Sequence, residues 1–136
     1  MTQQTILYRK IFAAFGLVIL VICILCVASR DSLAKLDPRR FPHWVDPKID
    51  PKTLAYECSG GSDAGPIVYL KETIGFDYAF FSILRPNLPD DSAAAARYEI
   101  ALQKDDNGKW FVTEIWYGQR CQKGRGHQNF SIEPCE

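Results

Sequence analysis

Hydrophobic and polar positions divide the chain into two regimes. Residues 11–28 read IFAAFGLVILVICILCVA, eighteen apolar positions without interruption. At about 1.5 Å rise per residue a helix of that length nearly matches a hydrocarbon core of about 30 Å. Beyond Lys52 the pattern changes to short alternating stretches. Arg97 to Gln103 places Tyr98, Ile100 and Leu102 on one side and Arg97, Glu99 and Gln103 on the other, a half-buried strand. Phe76 to Leu84 is aromatic and β-branched and ends before Pro86 and Pro89, a second strand. Asp105-Asp106-Asn107-Gly108 supplies a tight hairpin, because Asn-Gly tolerates positive φ. Lys109 to Tyr117 returns from it with Trp110, Val112 and Trp116 facing Phe111, Ile115 and Tyr117, which predicts a strand buried on both sides.

Two stretches are less decided. Ile67 to Ile74 fits a strand by Ile67-Val68-Tyr69-Leu70, while Pro66 and Gly75 would equally bracket a short helix. Ala93 to Ala96 fits one helical turn capped by Asp91 or Ser92. The expected fold is a single N-terminal transmembrane helix plus a small mainly-β or α+β domain, an antiparallel meander of three to four strands. The expected organisation is a cytoplasmic N-terminus at 1–10, an anchor at 11–28, a Pro-rich stalk at 29–53 and the domain at 54–136. The stalk rests on Asp-Pro at three places in 37–52, since proline biases its predecessor away from helix. Phe41 and Trp44 are expected on the domain or at the membrane interface.

A signal-peptide h-region is shorter, about 7–15 residues, so length favours a retained anchor over a cleaved signal. Cys26-Val27-Ala28 and Ser32-Leu33-Ala34 are weak cleavage sites. Cys23 and Cys26 form a C-x-x-C inside the run, where cysteine acts as a small packing residue. Arg9 and Lys10 precede the run and Arg30, Lys35, Arg39 and Arg40 follow it, so a bare count of basic residues favours a cytoplasmic carboxyl side, although long domains translocate largely regardless of charge. The cysteines beyond it favour an extracytoplasmic domain.

From Asp37 onward twelve Lys and Arg face fifteen Asp and Glu, a net of minus three. A nucleic-acid binder would carry a basic face, so that partner class is set aside. The sequence implies no cofactor. The expected partners are the lipid bilayer and another envelope or membrane protein or an anionic glycan.

Chemistry concentrates in 118–136, GQRCQKGRGHQNFSIEPCE. Arg120, Lys123, Arg125 and His127 cluster around Gly124 and Gly126, and glycine-exposed backbone N–H groups beside guanidinium groups bind anions. A simpler reading pairs Arg125 with Asp90 or Asp91. Cys121 and Cys135 bracket the loop and would pair in an oxidising compartment, with Cys58 left unpaired or competing with either partner. A zinc site from Cys58, Cys121, His127 and Cys135 has the right ligand types, but no close C-x₂₋₄-C spacing. An enzyme would use His127 as acid or base beside Glu57, Glu114 or Glu133. The leading expectation is a tethered, non-catalytic accessory or interaction domain. Its alternatives are an envelope enzyme and a zinc-stabilised, cytoplasmic-facing module.

The residues Asp90-Asp91-Ser92, Arg97-Tyr98, Arg120-Cys121, Gly124-Arg125-Gly126-His127 and Cys135 resemble a group of small bacterial anchored or secreted proteins of unknown function. The resemblance covers 90–135 and implies no activity, cofactor or substrate. It supports treating the tail as one structural unit.

Overall fold

The computed structural model describes residues 31–41 and 49–136. Among these no helix is long and apolar enough to cross a membrane, and the expected anchor at 11–28 lies outside them.

Five antiparallel strands form one sheet: β1 (Ala34–Leu36), β2 (Val68–Ile74), β3 (Tyr78–Pro86), β4 (Ala93–Lys104) and β5 (Trp110–Cys121), in the order β1-β5-β4-β3-β2. The meander is therefore mainly β as expected, but has five strands rather than three or four. The extra strand comes from the stretch expected to be stalk. Ala34, Lys35 and Leu36 pair with Tyr117, Trp116 and Ile115, closing the free edge of β5. A short 3-10 turn at Pro38–Arg40 follows, and Phe41 packs against the core. His43 and Trp44 lie outside the described residues.

The helix α1, Pro51–Cys58, is built by local chemistry. Asp50 caps it, accepting from the backbone N–H groups of Lys52 and Thr53 at 3.0 Å each, and Pro51 occupies the first turn, where its missing N–H is not needed. Pro51, Leu54, Ala55 and Cys58 are buried, an i, i+3, i+4, i+7 stripe laid on the sheet. Beneath it Phe81, Ile83, Ile100, Leu102 and Ile115 are fully buried.

Parity along β5 is broken by a bulge. Leu102 pairs with Val112 and Ala101 with Glu114, so Thr113 is an extra residue. Trp110 and Val112 before it, and Ile115 and Tyr117 after it, therefore share the core side. Phe111, Glu114 and Trp116 fall on the other face, which solvent reaches. There Lys35 pairs with Glu114 and also lies over Trp116, and Lys71 lies over Phe80. The expected two-sided burial is replaced by one buried face and one face shielded by its own long side chains.

Ala93–Ala96 opens β4 instead of making a helical turn. The Asp90 carboxylate accepts from Ser92 N, Ser92 Oγ and Ala93 N, turning the chain into the strand. The β4–β5 hairpin forms as expected, with Gly108 N donating to Asp105 O and Gly108 alone in the left-handed region (φ +81°).

Candidate functional site

The C-terminal loop is tied to the sheet by its own backbone. Ser131 and Gln119 exchange N–H···O bonds of 2.9 and 2.8 Å, and Ser32 N donates to Phe130 O at 2.7 Å. Asp31 accepts from Phe130 N and from Arg97, which also pairs with Glu99. At Gly118 a Cβ would meet Leu33 Cδ2 at 2.7 Å and Ser131 N at 3.2 Å, so a side chain here would press on the backbone of this crossing. Cys121 ends β5, almost fully buried, and is joined to Cys135 by a disulfide. The Gln128 amide donates toward the carbonyls of Cys121, Gln122 and Gly126 inside the closed loop.

His127 is central to this framework. Its Nδ1 lies 2.9 Å from Asn129 O and its Nε2 2.9 Å from Glu133 O. Carbonyl oxygens only accept, so both nitrogens serve as donors, as in imidazolium. These bonds, the one to Glu133 first, raise its pKa above the ordinary 6.5. The Glu133 carbonyl also accepts from Gln119 Nε2 at 3.1 Å.

The expected basic residues divide. Arg120, Lys123 and Arg125 are exposed, whereas His127 is half-buried. The Arg120 guanidinium lies 5.5 Å from the Phe130 ring centroid. Arg125 donates to Glu136 O at 3.2 Å, and its charge helps lower the Asp90 pKa, after the bonds from Ala93 and Ser92. Arg120 and Lys123 make no ion pair among the described residues. Of the carboxylates considered as partners for His127, Glu114 pairs with Lys35, and Glu133 meets the ring through its backbone carbonyl.

Of the four proposed zinc ligands, three converge. One ligand atom each from Cys121, His127 and Cys135 lies within 4.8 Å of the others. Cys58 does not join them: it is buried at the end of α1, and desolvation raises its pKa to about 12. A thiol held protonated this way is a packing group and not a nucleophile.

Cys58 instead borders an open depression of about 410 Å³ lined by Leu36, Phe41, Glu57, Gly60, Tyr98 and Tyr117. The two tyrosine rings lie 5.2 Å apart, and burial raises the Tyr98 phenol to about 12. Sequence reasoning did not reach this group, although the alternation of Tyr98 with Ile100 and Leu102 placed that ring on the inner face.

It also missed Arg85, which is fully buried. Arg85 donates to Ser59 O at 3.2 Å, Gly65 O at 2.8 Å, Tyr56 O at 3.3 Å and Ser59 Oγ at 3.0 Å. Its guanidinium stacks 4.9 Å from the Tyr56 ring centroid. These bonds fasten the end of α1 and the glycine-rich turn to β3. Strand parity was the available signal, since Arg85 continues the series Ala79, Phe81, Ile83.

No family model matches the chain, and no curated protein or solved structure shows significant similarity to it.

Proposed function

We propose that this chain is a membrane-tethered domain facing an oxidising compartment, where it binds a partner and does not turn over a substrate. The observation that carries this reading is the engagement of both His127 nitrogens by backbone carbonyls. A general acid or base needs a nitrogen within reach of the substrate, and here the ring is a cross-link of the loop. The disulfide supports the compartment, and the apolar run at 11–28 supports the tether.

The binding surface in this reading is the rim formed by Arg120, Lys123 and Arg125. Exposed guanidinium and ammonium groups fit an anionic glycan or an acidic segment of an envelope protein. A second surface is favoured by the apolar side chains around β2 and its hairpin, where Phe76 is 90 % exposed and Leu70 and Ile74 51 % each.

Protease protection on sealed membranes tests the topology, with cleavage of the domain from the outer side as the expected result. Retention of the full chain on an immobilised acidic polysaccharide tests the rim. Lys123→Ala combined with Arg125→Ala is expected to weaken retention several-fold at low salt and less at high salt, with an unchanged melting temperature. Unchanged retention, with Phe76→Ser abolishing it, would move the contact to the apolar edge. Protection from outside protease would overturn the compartment.

A further inference from the structure

We infer that Cys121, Cys135 and His127 form a zinc site when the disulfide is reduced, so that the same loop is closed by sulfur in one redox state and by metal in the other. The inference goes beyond the binding-module reading and does not depend on it.

Geometry is the first support. The three ligand atoms already lie within 4.8 Å of one another. Tetrahedral zinc with Zn–S bonds of about 2.3 Å and a Zn–N bond of about 2.0 Å requires S···S near 3.8 Å and S···N near 3.5 Å. The two cysteine Cα atoms are 5.4 Å apart, so side-chain rotation alone can open the sulfurs once their bond is gone. The backbone stays in place, because Cys121 N donates to His127 O and Glu136 N to Arg125 O independently of the sulfurs.

The setting of the imidazole is the second support. A zinc-bound histidine uses one nitrogen for the metal and donates the other N–H to a carbonyl or carboxylate that fixes the ring. His127 has a carbonyl at each nitrogen, Asn129 O and Glu133 O. Releasing one of them frees a ligand lone pair while the other keeps its orienting role. The third support is room beside the sulfur. Gly126 lies so close that a Cβ there would be 3.0 Å from Cys121 Sγ. Solvent supplies the fourth ligand, and Cys58 stays in the core.

The step balances with a water-soluble trialkylphosphine as reductant. The phosphine takes the oxygen of one water to become its oxide, the S–S bond breaks, and each sulfur receives one of that water's protons. Zinc then displaces both thiol protons as the thiolates bind.

The test uses the full chain in detergent, oxidised or phosphine-reduced, titrated with zinc sulfate against a chromophoric chelator. Cobalt(II) serves as the spectroscopic substitute, and iodoacetamide followed by peptide mass spectrometry locates protected thiols. One zinc per reduced chain and none per oxidised chain are expected. Tetrahedral cobalt bands with two-thiolate charge transfer, and protection of Cys121 and Cys135, should accompany them. His127→Gln should weaken the site by more than about 100-fold, at least the loss that removal of an outer-shell partner produces. The variant Cys23→Ala/Cys26→Ala/Cys58→Ala should bind as tightly as the natural chain. Zinc-independent alkylation of Cys121 and Cys135 would overturn the inference, and that readout needs no variant to fold. So would unchanged affinity in His127→Gln, or loss of zinc in the triple variant. Topology and polysaccharide retention are read separately, so failure here leaves the proposed function standing.

Discussion

Replacing Arg85 with methionine isolates the question of what a buried cation contributes when it has no carboxylate partner among the described residues. Its four hydrogen bonds would sum to about 6–12 kcal/mol if each contributed the 1.5–3 kcal/mol typical of bonds to a charged donor. Most of that is not lost on substitution. Gly65 is exposed, so water replaces the guanidinium at its carbonyl. Tyr56 O still accepts from Ser59 N, Gly61 N and Ser59 Oγ. Ser59, fully buried, is the residue whose carbonyl loses Arg85, at about 1–3 kcal/mol. Loss of stacking on Tyr56 adds about 1–2 kcal/mol, and relief of charge burial acts in the opposite direction. The net expectation is destabilisation of about 2–4 kcal/mol, or roughly 10 °C or more in melting temperature for a domain of this size. Thermal unfolding followed by Trp110 and Trp116 fluorescence measures it. Arg85→Lys should be no better than methionine, because an ammonium cannot span the carbonyls that the planar fork reaches. A methionine variant melting at or above the natural protein would refute the reasoning, showing that desolvation outweighs these bonds.

Two further outcomes follow from the loop. Unreduced peptide mapping should recover Cys121 joined to Cys135, and Cys135→Ser should lower stability by about 2–4 kcal/mol, the range for closing a loop of about fifteen residues. Free thiols in both peptides from oxidised protein would contradict this. His127 should titrate above 6.5 by proton–nitrogen NMR in the oxidised protein, with both ring N–H groups visible on the acid side. A raised folded-state pKa gives a contribution fully present below the unfolded value near 6.5 and lost as pH rises through the folded value, so the loop should loosen toward alkaline pH. A titration midpoint at or below 6.5 would contradict the double-carbonyl clamp.

Much of the sheet was legible because alternation has a local physical cause. Successive side chains on a strand point to opposite faces, so Tyr98, Ile100 and Leu102 had to share one side. The hairpin at Asp105–Gly108 was legible for a similar reason, since turn chemistry acts within four residues. The helix start at Asp50-Pro51 carried an equally local signal that the stalk reading absorbed, because three Asp-Pro pairs in a row looked like one extended segment.

The remainder depended on partners distant in sequence. Thr113 is an extra residue only with respect to Ala101 and Leu102 across the ladder, and that one insertion moved Ile115 and Tyr117 to the side of Trp110. Ala34–Leu36 is a strand only because the edge of β5 lacked a neighbour. In the C-terminal loop, sequence by itself supplied the glycines, the basic residues and a Cys121–Cys135 pairing that stood beside a zinc alternative, all from composition and spacing. Tertiary structure alone decided that His127 turns inward to two carbonyls, that Cys58 at the end of α1 is buried in the core, and that Arg85 enters the core. The physical reason is common to all three. A polar side chain is buried when the fold supplies its hydrogen-bond partners, and those partners exist only once the chain has closed on itself.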